Sequence, residues 1–232
     1  MEIWEKIGNK KGMASGLMEM GTFYQQLYDI EKATEYHEQS LGLMEEMGMK
    51  AEKTAVFARI GSDCHLAGDD KMALRYLNDA LEIVEELGIR EPEPGVLGAL
   101  SEVWLSRGDS TKADEFCERL LRMAEKEGLK KYLAVAKKLK GEIILNEAVS
   151  LNEAERELKE AGKIAKKIGA LPVLWQIHAS LGKTYEKKGD KKKAFAEFKK
   201  ARKIVDDLAS KIGDEDLKNT FLNSIQIQSI NQ

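Results

Sequence analysis

Glycine returns along this 232-residue chain at nearly constant intervals: Gly8, Gly48, Gly88, Gly128 and Gly169 stand 40, 40, 40 and 41 residues apart. Alanine keeps the same step at Ala33, Ala73, Ala113, Ala154 and Ala194. A period of this length marks stacked supersecondary units, none of which buries its apolar face alone. Inside each period the apolar residues recur at helical spacing. In the block 49–88 they are Val56, Phe57, Ile60 and Cys64, then Met72, Ala73, Tyr76, Leu77, Ala80, Leu81 and Val84, with Gly68-Asp69-Asp70 between. Glycine accepts the left-handed backbone that closes a helix, and aspartate accepts the free N–H groups that open the next. The blocks 9–48, 49–88, 89–128, 129–169 and 170–213 therefore read as helix pairs. Residues 1–8 read as the end of an earlier pair, and 214–230 as a capping helix, within one solenoid over 1–232. The expected fold class is all-α.

Finer expectations follow from departures in the pattern. Gly21, Gly61, Ser101, Gly141 and Gly182 place small side chains where paired helices must approach closely. Block four holds 13 residues from Gly141 to Ala154, where the other blocks hold 12. The insertion falls within Asn146–Ser150, so a longer, looser inter-helix loop is expected there. Pro92, Pro94 and Pro172 fall at starts of first helices, where a missing N–H costs little. Leu217, Phe221, Leu222 and Ile225 predict an amphipathic stripe on the capping helix, with residues 227–232 fraying beyond it. Glu2 to Lys6 match the end of a second helix, so the chain opens inside a repeat, as a piece of a longer array would.

Charged residues make up 33% of the chain and aromatic residues 6%, which suits helix-rich soluble material. No apolar run approaches the ~20 residues needed to cross a bilayer. The start Met1-Glu2-Ile3-Trp4-Glu5-Lys6 lacks the basic and apolar segments of a signal peptide. Cys64 and Cys117 fall in different blocks, which fits small buried thiols in a reducing cytoplasm. Residues 1–128 carry 15 Lys+Arg against 26 Asp+Glu, and 129–232 carry 22 against 14. That imbalance leaves two readings open: surface drift between repeats, or a bipolar array able to associate with itself or to place its basic half on an anionic partner.

Phe57, Ile60, Gly61, Cys64, Gly68, Ala73, Leu77 and Ala80 resemble the tetratricopeptide repeat in its long, forty-residue form, and the other blocks match in phase. The family's proline near the end of the second helix is replaced here by Glu85. The resemblance implies a right-handed superhelix of antiparallel helix pairs whose first helices line a concave groove. It implies binding of a protein, a peptide or sometimes a small regulator. The forty-residue form is similar to repeats of kinesin light chain, of cell-polarity scaffolds and of the sensor arms of large prokaryotic signalling ATPases and transcription activators. The stretch Asp216 to Asn223 is similar to the end of arrays in that last group, which suggests a C-terminal piece of a larger regulatory protein.

On that geometry the groove-facing positions are Met18, Thr22, Gln25 and Gln26, then Ala58, Arg59, Ser62 and His65. They continue through Gly98, Glu102 and Leu105, Lys138, Glu142 and Leu145, and Ala179, Lys183, Glu186 and Lys187. The clamp of lysines, asparagines and arginine with which some family members grip a peptide's C-terminal carboxylate is absent. Gln25, Arg59, His65, Glu102 and Glu142 present a mixed polar set that either hydrogen-bonds a peptide backbone or is simply solvated. Seven of nine methionines lie in the first 49 residues, as core filler or as an adaptable surface. Lysines from Lys187 to Lys203, with Arg202, form the strongest charge cluster. No exposed aromatic series accompanies it, so a solvated convex face competes with a nucleic-acid contact.

Catalytic patterns are missing. His37, His65 and His178 lie in separate blocks without metal-ligand spacing, and Cys64 and His65 point about 100° apart on a helix. No phosphate-binding glycine loop or nucleophile elbow occurs. The expectation is a non-enzymatic, cytoplasmic protein- or peptide-binding scaffold with no cofactor, no metal and no membrane partner. The alternative is a sensor or autoregulatory arm of a larger signalling ATPase, cyclase, kinase or transcription regulator, holding a small effector or its own upstream domain.

Overall fold

The computed structural model describes residues 8–230. Among them are twelve helices and no strand. Unit 1 begins with α1 (Lys10–Gln26), α2 (Ile30–Glu46), α3 (Lys50–Leu66), α4 (Asp70–Leu87) and α5 (Glu93–Ser106). There follow α6 (Ser110–Glu127), α7 (Lys130–Glu147), α8 (Leu151–Lys167), α9 (Leu171–Lys187), α10 (Lys191–Ala209), α11 (Glu215–Asn223) and α12 (Ile225–Gln228). Through α10, odd-numbered helices are the first and even-numbered the second members of successive antiparallel pairs. The chain divides into two compact units between Val103 and Trp104, inside α5. The segment Glu2 to Lys6, expected to close an earlier helix, lies outside the described residues.

In unit 1, α1 packs along α2, α3 along α4, and α2 against α3. Ala14, Met44, Val56 and Ile60 form a buried cluster, and Met18, Leu41, Met47, Met49, Cys64 and Tyr76 close over it. Most of the N-terminal methionines in the described residues are therefore core. The repeat also recurs in its electrostatics. Lys10 pairs with Glu46 at 2.9 Å, and one period later Lys50 pairs with Glu86 at 2.6 Å. Such exposed pairs contribute ~0–1 kcal/mol each, so they record register more than they supply stability.

In unit 2, α7 packs along α8, α9 along α10, α6 against α7, and α8 against α9. Ala134, Leu158, Ala161, Ala165, Leu174, Ile177 and Leu181 form its central cluster. The alanine ladder is buried at every rung in both units. The small-residue positions act as slots. A Cβ on Gly21 would stand 2.4 Å from the His37 ring, on Gly61 2.7 Å from Leu77, on Gly141 2.6 Å from Leu158, and on Gly182 2.6 Å from Phe198. Each slot takes the side chain of the paired second helix 16 or 17 residues on.

Three sequence expectations are corrected. The inserted residue of block four does not lengthen the loop: residues 148–150 connect α7 to α8, as residues 67–69 connect α3 to α4. The insertion extends α7 to 18 residues, against 17 in α3 and α9. The left-handed residue then falls on Ala148 (φ 55°), whereas Gly68, Gly108 and Gly189 carry it in other turns. Second, Ser224 breaks the capping stripe with an extended backbone, and Ile225 turns outward to 85% exposure. Third, Ile227 and Ile230 are buried instead, so the expected fraying does not begin at 227.

Because an L-residue in the left-handed region is strained by ~1 kcal/mol or more, Ala148→Gly is expected to stabilise unit 2 by about 0.5–1 kcal/mol. Urea midpoints at constant slope measure it, and a loss of stability would contradict the assignment of strain to this turn. Pro92 has a visible effect too. α5 starts at Glu93, three residues later than the phase of α3 and α7 requires, because a residue preceding proline is pushed out of helical conformation.

Candidate functional site

The first helices carry the polar side chains expected to form a binding surface, and many of these side chains hold neighbouring first helices together. In unit 1, Gln25 on α1 donates through Nε2 to Asp63 Oδ1 on α3 at 2.6 Å and to the Arg59 carbonyl at 3.3 Å. In unit 2, Lys138 on α7 donates to Gln176 Oε1 on α9 at 3.1 Å, and Ser180 on α9 donates to Glu142 Oε1 at 2.6 Å. All three bonds join residues 38 apart, so the same geometry is rebuilt from different side chains. Lys187 adds a bond to the Leu145 carbonyl at 2.8 Å. The result is a preformed surface of helices tied side by side.

The ten expected site residues therefore fall into classes. Gln25 and Glu142 are engaged in these ties. Met18 belongs to the unit 1 core. Ser62 donates to the Ala58 carbonyl of its own helix at 3.0 Å, and His65 meets Asp70 at 2.7 Å. Glu102 stands half-buried on α5. Thr22 is half-buried, Lys183 and Glu186 are exposed, and the half-buried Arg59 guanidinium has no hydrogen bond or ion pair among the described residues. Arg59 is thus a half-buried cation with its donors still available. Gly98, Lys138, Leu145 and Ala179, also expected in the groove, are buried.

A pair missed by sequence reasoning lies one layer deeper. His37 on α2 and Asp63 on α3 are both fully buried, with Nδ1 and Oδ2 2.6 Å apart. His37 Nε2 has no partner, and its ring lies over Gly21. Aligning the repeats sets His37 against apolar residues and a cysteine, and Asp63 against apolar residues and a threonine. His37 stands where other repeats have Leu77, Cys117, Leu158 and Phe198, and Asp63 where they have Phe23, Val103, Ile143 and Thr184. Every histidine of the chain meets one carboxylate: His178 pairs with Glu197 at 2.6 Å. These are helix clips, and no group of three or more potential metal ligands occurs among the described residues.

The basic cluster is partly neutralised by its own neighbours. Lys188 bonds Glu155 and Asn152, Lys193 pairs with Asp190 at 2.9 Å, and Lys200 pairs with Glu197 at 2.7 Å. Glu155 also receives Lys159 at 2.6 Å and the Tyr185 hydroxyl at 2.7 Å. Burial pulls this carboxyl upward, but the hydrogen bonds from Lys159, Lys188 and Tyr185 outweigh it and lower its pKa to about 2. A depressed carboxyl contributes stability fully above its unfolded pKa and loses it as pH falls through the folded value. Glu155→Gln is therefore expected to remove about 1–2 kcal/mol at pH 7, after allowance for solvent screening, and to flatten the loss of stability between pH 4.5 and 2. Acid titration followed by circular dichroism tests this, and an unchanged acid limb would refute it.

Burial pushes the Cys117 thiol up to about 12 and raises that of Cys64 as well, so both free thiols are held protonated and unreactive. Cys64 is half-buried where full burial was expected. No helix among the described residues is long and apolar enough to cross a membrane.

Comparison with known proteins bears on the fold. Residues 176–204 match the family model "Tetratricopeptide repeat". No curated protein matches the chain by sequence. A Rap protein complexed with competence and sporulation factor superposes with a TM-score of 0.75 at 15% identity, covering 92% of this chain and 64% of that one. Aspartyl phosphate phosphatase F from Bacillus subtilis gives 0.63 at 17%, covering 99% and 61%. The TPR-like repeats of a putative kinesin light chain from Podosopora anserina give 0.57 at 16%, covering 86% and 97%. The chain thus spans less than two thirds of the Rap and phosphatase structures. With strand-free helix pairs and these neighbours, the chain has the fold of a TPR-like helical repeat array, and over residues 176–204, within α9 and α10, it matches the tetratricopeptide repeat itself.

Proposed function

We propose that this array is a non-catalytic scaffold that binds an extended peptide or protein segment along its first-helix face. The observation that carries the reading is the 38-residue tie between first helices. It fixes the polar surface before any partner arrives, which lowers the ordering cost of association. In unit 1 that face carries the Arg59 guanidinium and the Thr22 hydroxyl as available donors, with Glu102 half-buried on α5, and in unit 2 it carries the exposed Lys183 ammonium and Glu186 carboxylate. The Rap structure, which holds a competence and sporulation factor, supports the same class of ligand. The phosphatase name belongs to its own structure. Here the histidines are clipped to carboxylates and the thiols are protonated, which suits binding better than catalysis.

Panning a random twelve-residue peptide library against the chain is expected to enrich ligands that lose about 10-fold affinity or more with Arg59→Ala/Glu102→Ala. Ligands indifferent to that variant and to Lys183→Ala would refute recognition by the first helices.

A second reading is favoured by a length relation: the Rap and phosphatase structures, of which this chain covers 64% and 61%, are themselves longer. In it the array is a sensor or autoregulatory arm that holds an effector or another domain of the same polypeptide. An ATPase, cyclase, kinase or DNA-binding domain in the same open reading frame would select it. A frame coding for nothing beyond these repeats would reject it.

A further inference from the structure

We propose that the outer face of α10 is a second docking site, meeting the first-helix surface only at Glu186, and that it takes an amphipathic helix whose apolar stripe is flanked by carboxylates. The argument starts from what the same face does elsewhere. In unit 2, α6 offers Asp114 and Glu118 to Lys140 of the following first helix, at 2.7 and 2.8 Å. α8 offers Glu155 to Tyr185 of α9 and to Lys188, the residue that caps it. Every such second helix thus uses this face to receive a helix. Counted in register, Phe195 stands where Asp114 and Glu155 stand, and Lys199 where Glu118 stands.

On α10 the receiving face is open. Phe195 is 70% exposed, and a cavity of about 780 Å3 is lined by Phe195, Phe198, Lys199, Arg202 and Lys203, with Glu186 at its edge. The residues that follow α12 meet α10 at Arg202, whose guanidinium donates to the Ile230 carbonyl at 2.9 Å. Lys191, Lys199 and Lys203 make no hydrogen bond or ion pair among the described residues. The lining of ten residues carries four cations, Lys191, Lys199, Arg202 and Lys203, against two carboxylates, Glu186 and Asp206.

That composition selects the occupant. Interior faces offer carboxylates and receive lysine-bearing helices, whereas this one offers aromatic rings rimmed by cations. Its complement carries aspartate or glutamate beside leucine- or phenylalanine-like side chains, read at helical spacing. A second copy of this chain is a poor complement. Its α1, whose Met20 and Phe23 are exposed, carries Lys10 and Lys11 against the single acid Glu19.

Two fluorescein-labelled 18-residue helical peptides test the proposal by anisotropy with the full chain: one with a leucine stripe flanked by glutamates, the other with lysine at each of those positions. The glutamate peptide is expected to bind at least about 10-fold tighter, and to weaken at least about 10-fold with Phe195→Ala. Lys199→Glu/Lys203→Glu is expected to reverse the preference, and Arg59→Ala to leave it unchanged. Phe195 is on the surface, so its variant is expected to keep the wild-type circular dichroism. Equal binding of the two peptides, or indifference to Phe195→Ala, would overturn the proposal. So would a concentration-dependent dimer of the chain alone that Phe195→Ala abolishes, because the occupant would then be a second copy. Tight binding of duplex DNA that outcompetes the glutamate peptide would overturn it as well.

Discussion

Replacing Asp63 by valine, or His37 by leucine, is expected to cost about 3 kcal/mol, while the two changes together are expected to leave stability within about 1 kcal/mol of wild type or above it. Each single change strands a buried polar group. Without Asp63, the imidazole loses its one partner, Nε2 already having none, and Gln25 loses its carboxylate acceptor. Without His37, the carboxylate is left in a fully buried site with Gln25 alone. The double variant instead installs residue types that this chain already packs at the same columns, Leu77 or Leu158 and Val103. Urea titration of all four proteins gives the coupling, and additive losses would mean that the pair does not act as a unit. The comparison is made on midpoints, since repeat arrays can lose cooperativity between neighbours.

The glycine slots support the second large expectation. Gly141→Ala is expected to cost about 2 kcal/mol although alanine is the better helix former, because the new Cβ would lie 2.6 Å from Leu158 Cγ and 3.2 Å from the Ala154 carbonyl. Gly42, also helical, meets nothing within 4 Å of its would-be Cβ, so Gly42→Ala is expected to gain about 0.5–1 kcal/mol. Opposite signs for one substitution in one kind of helix isolate the contact from the propensity. Leu158→Ala alone opens a cavity and costs about 2–5 kcal/mol. Combined with Gly141→Ala it is expected to cost less than the sum, since the added methyl group enters the vacated space. A destabilised Gly42→Ala, or strict additivity at 141 and 158, would contradict the slot.

What periodicity could reveal, and what it could not, follows from what a repeat is. The glycine and alanine ladders and the small residues at 21, 61, 141 and 182 recur because each helix pair solves the same packing problem, so they were legible. The His37–Asp63 pair is a difference between repeats. Its members lie 26 residues apart in two separate columns, and only an alignment that looks for exceptions brings them together. The groove list placed its polar residues on the first helices and treated every one of them as available. Lys138 shows why that is too generous: its ammonium reaches Gln176, and the side chain ends up buried between first helices. The extra residue of block four was seen correctly as an insertion. It went into α7 because one more residue of helix keeps its hydrogen bonds, whereas a longer loop would leave backbone groups to water.

The same polar pair gives one junction an address. Excising residues 49–88 in a single forty-residue step would bring His37 to face the valine that follows Asp63 in its column, Val103. Excising 89–128 would instead set Leu77 before Ile143, oil against oil. The array is therefore expected to tolerate the second deletion far better than the first. A survey of soluble yield for the two shortened proteins would show whether this junction is interchangeable.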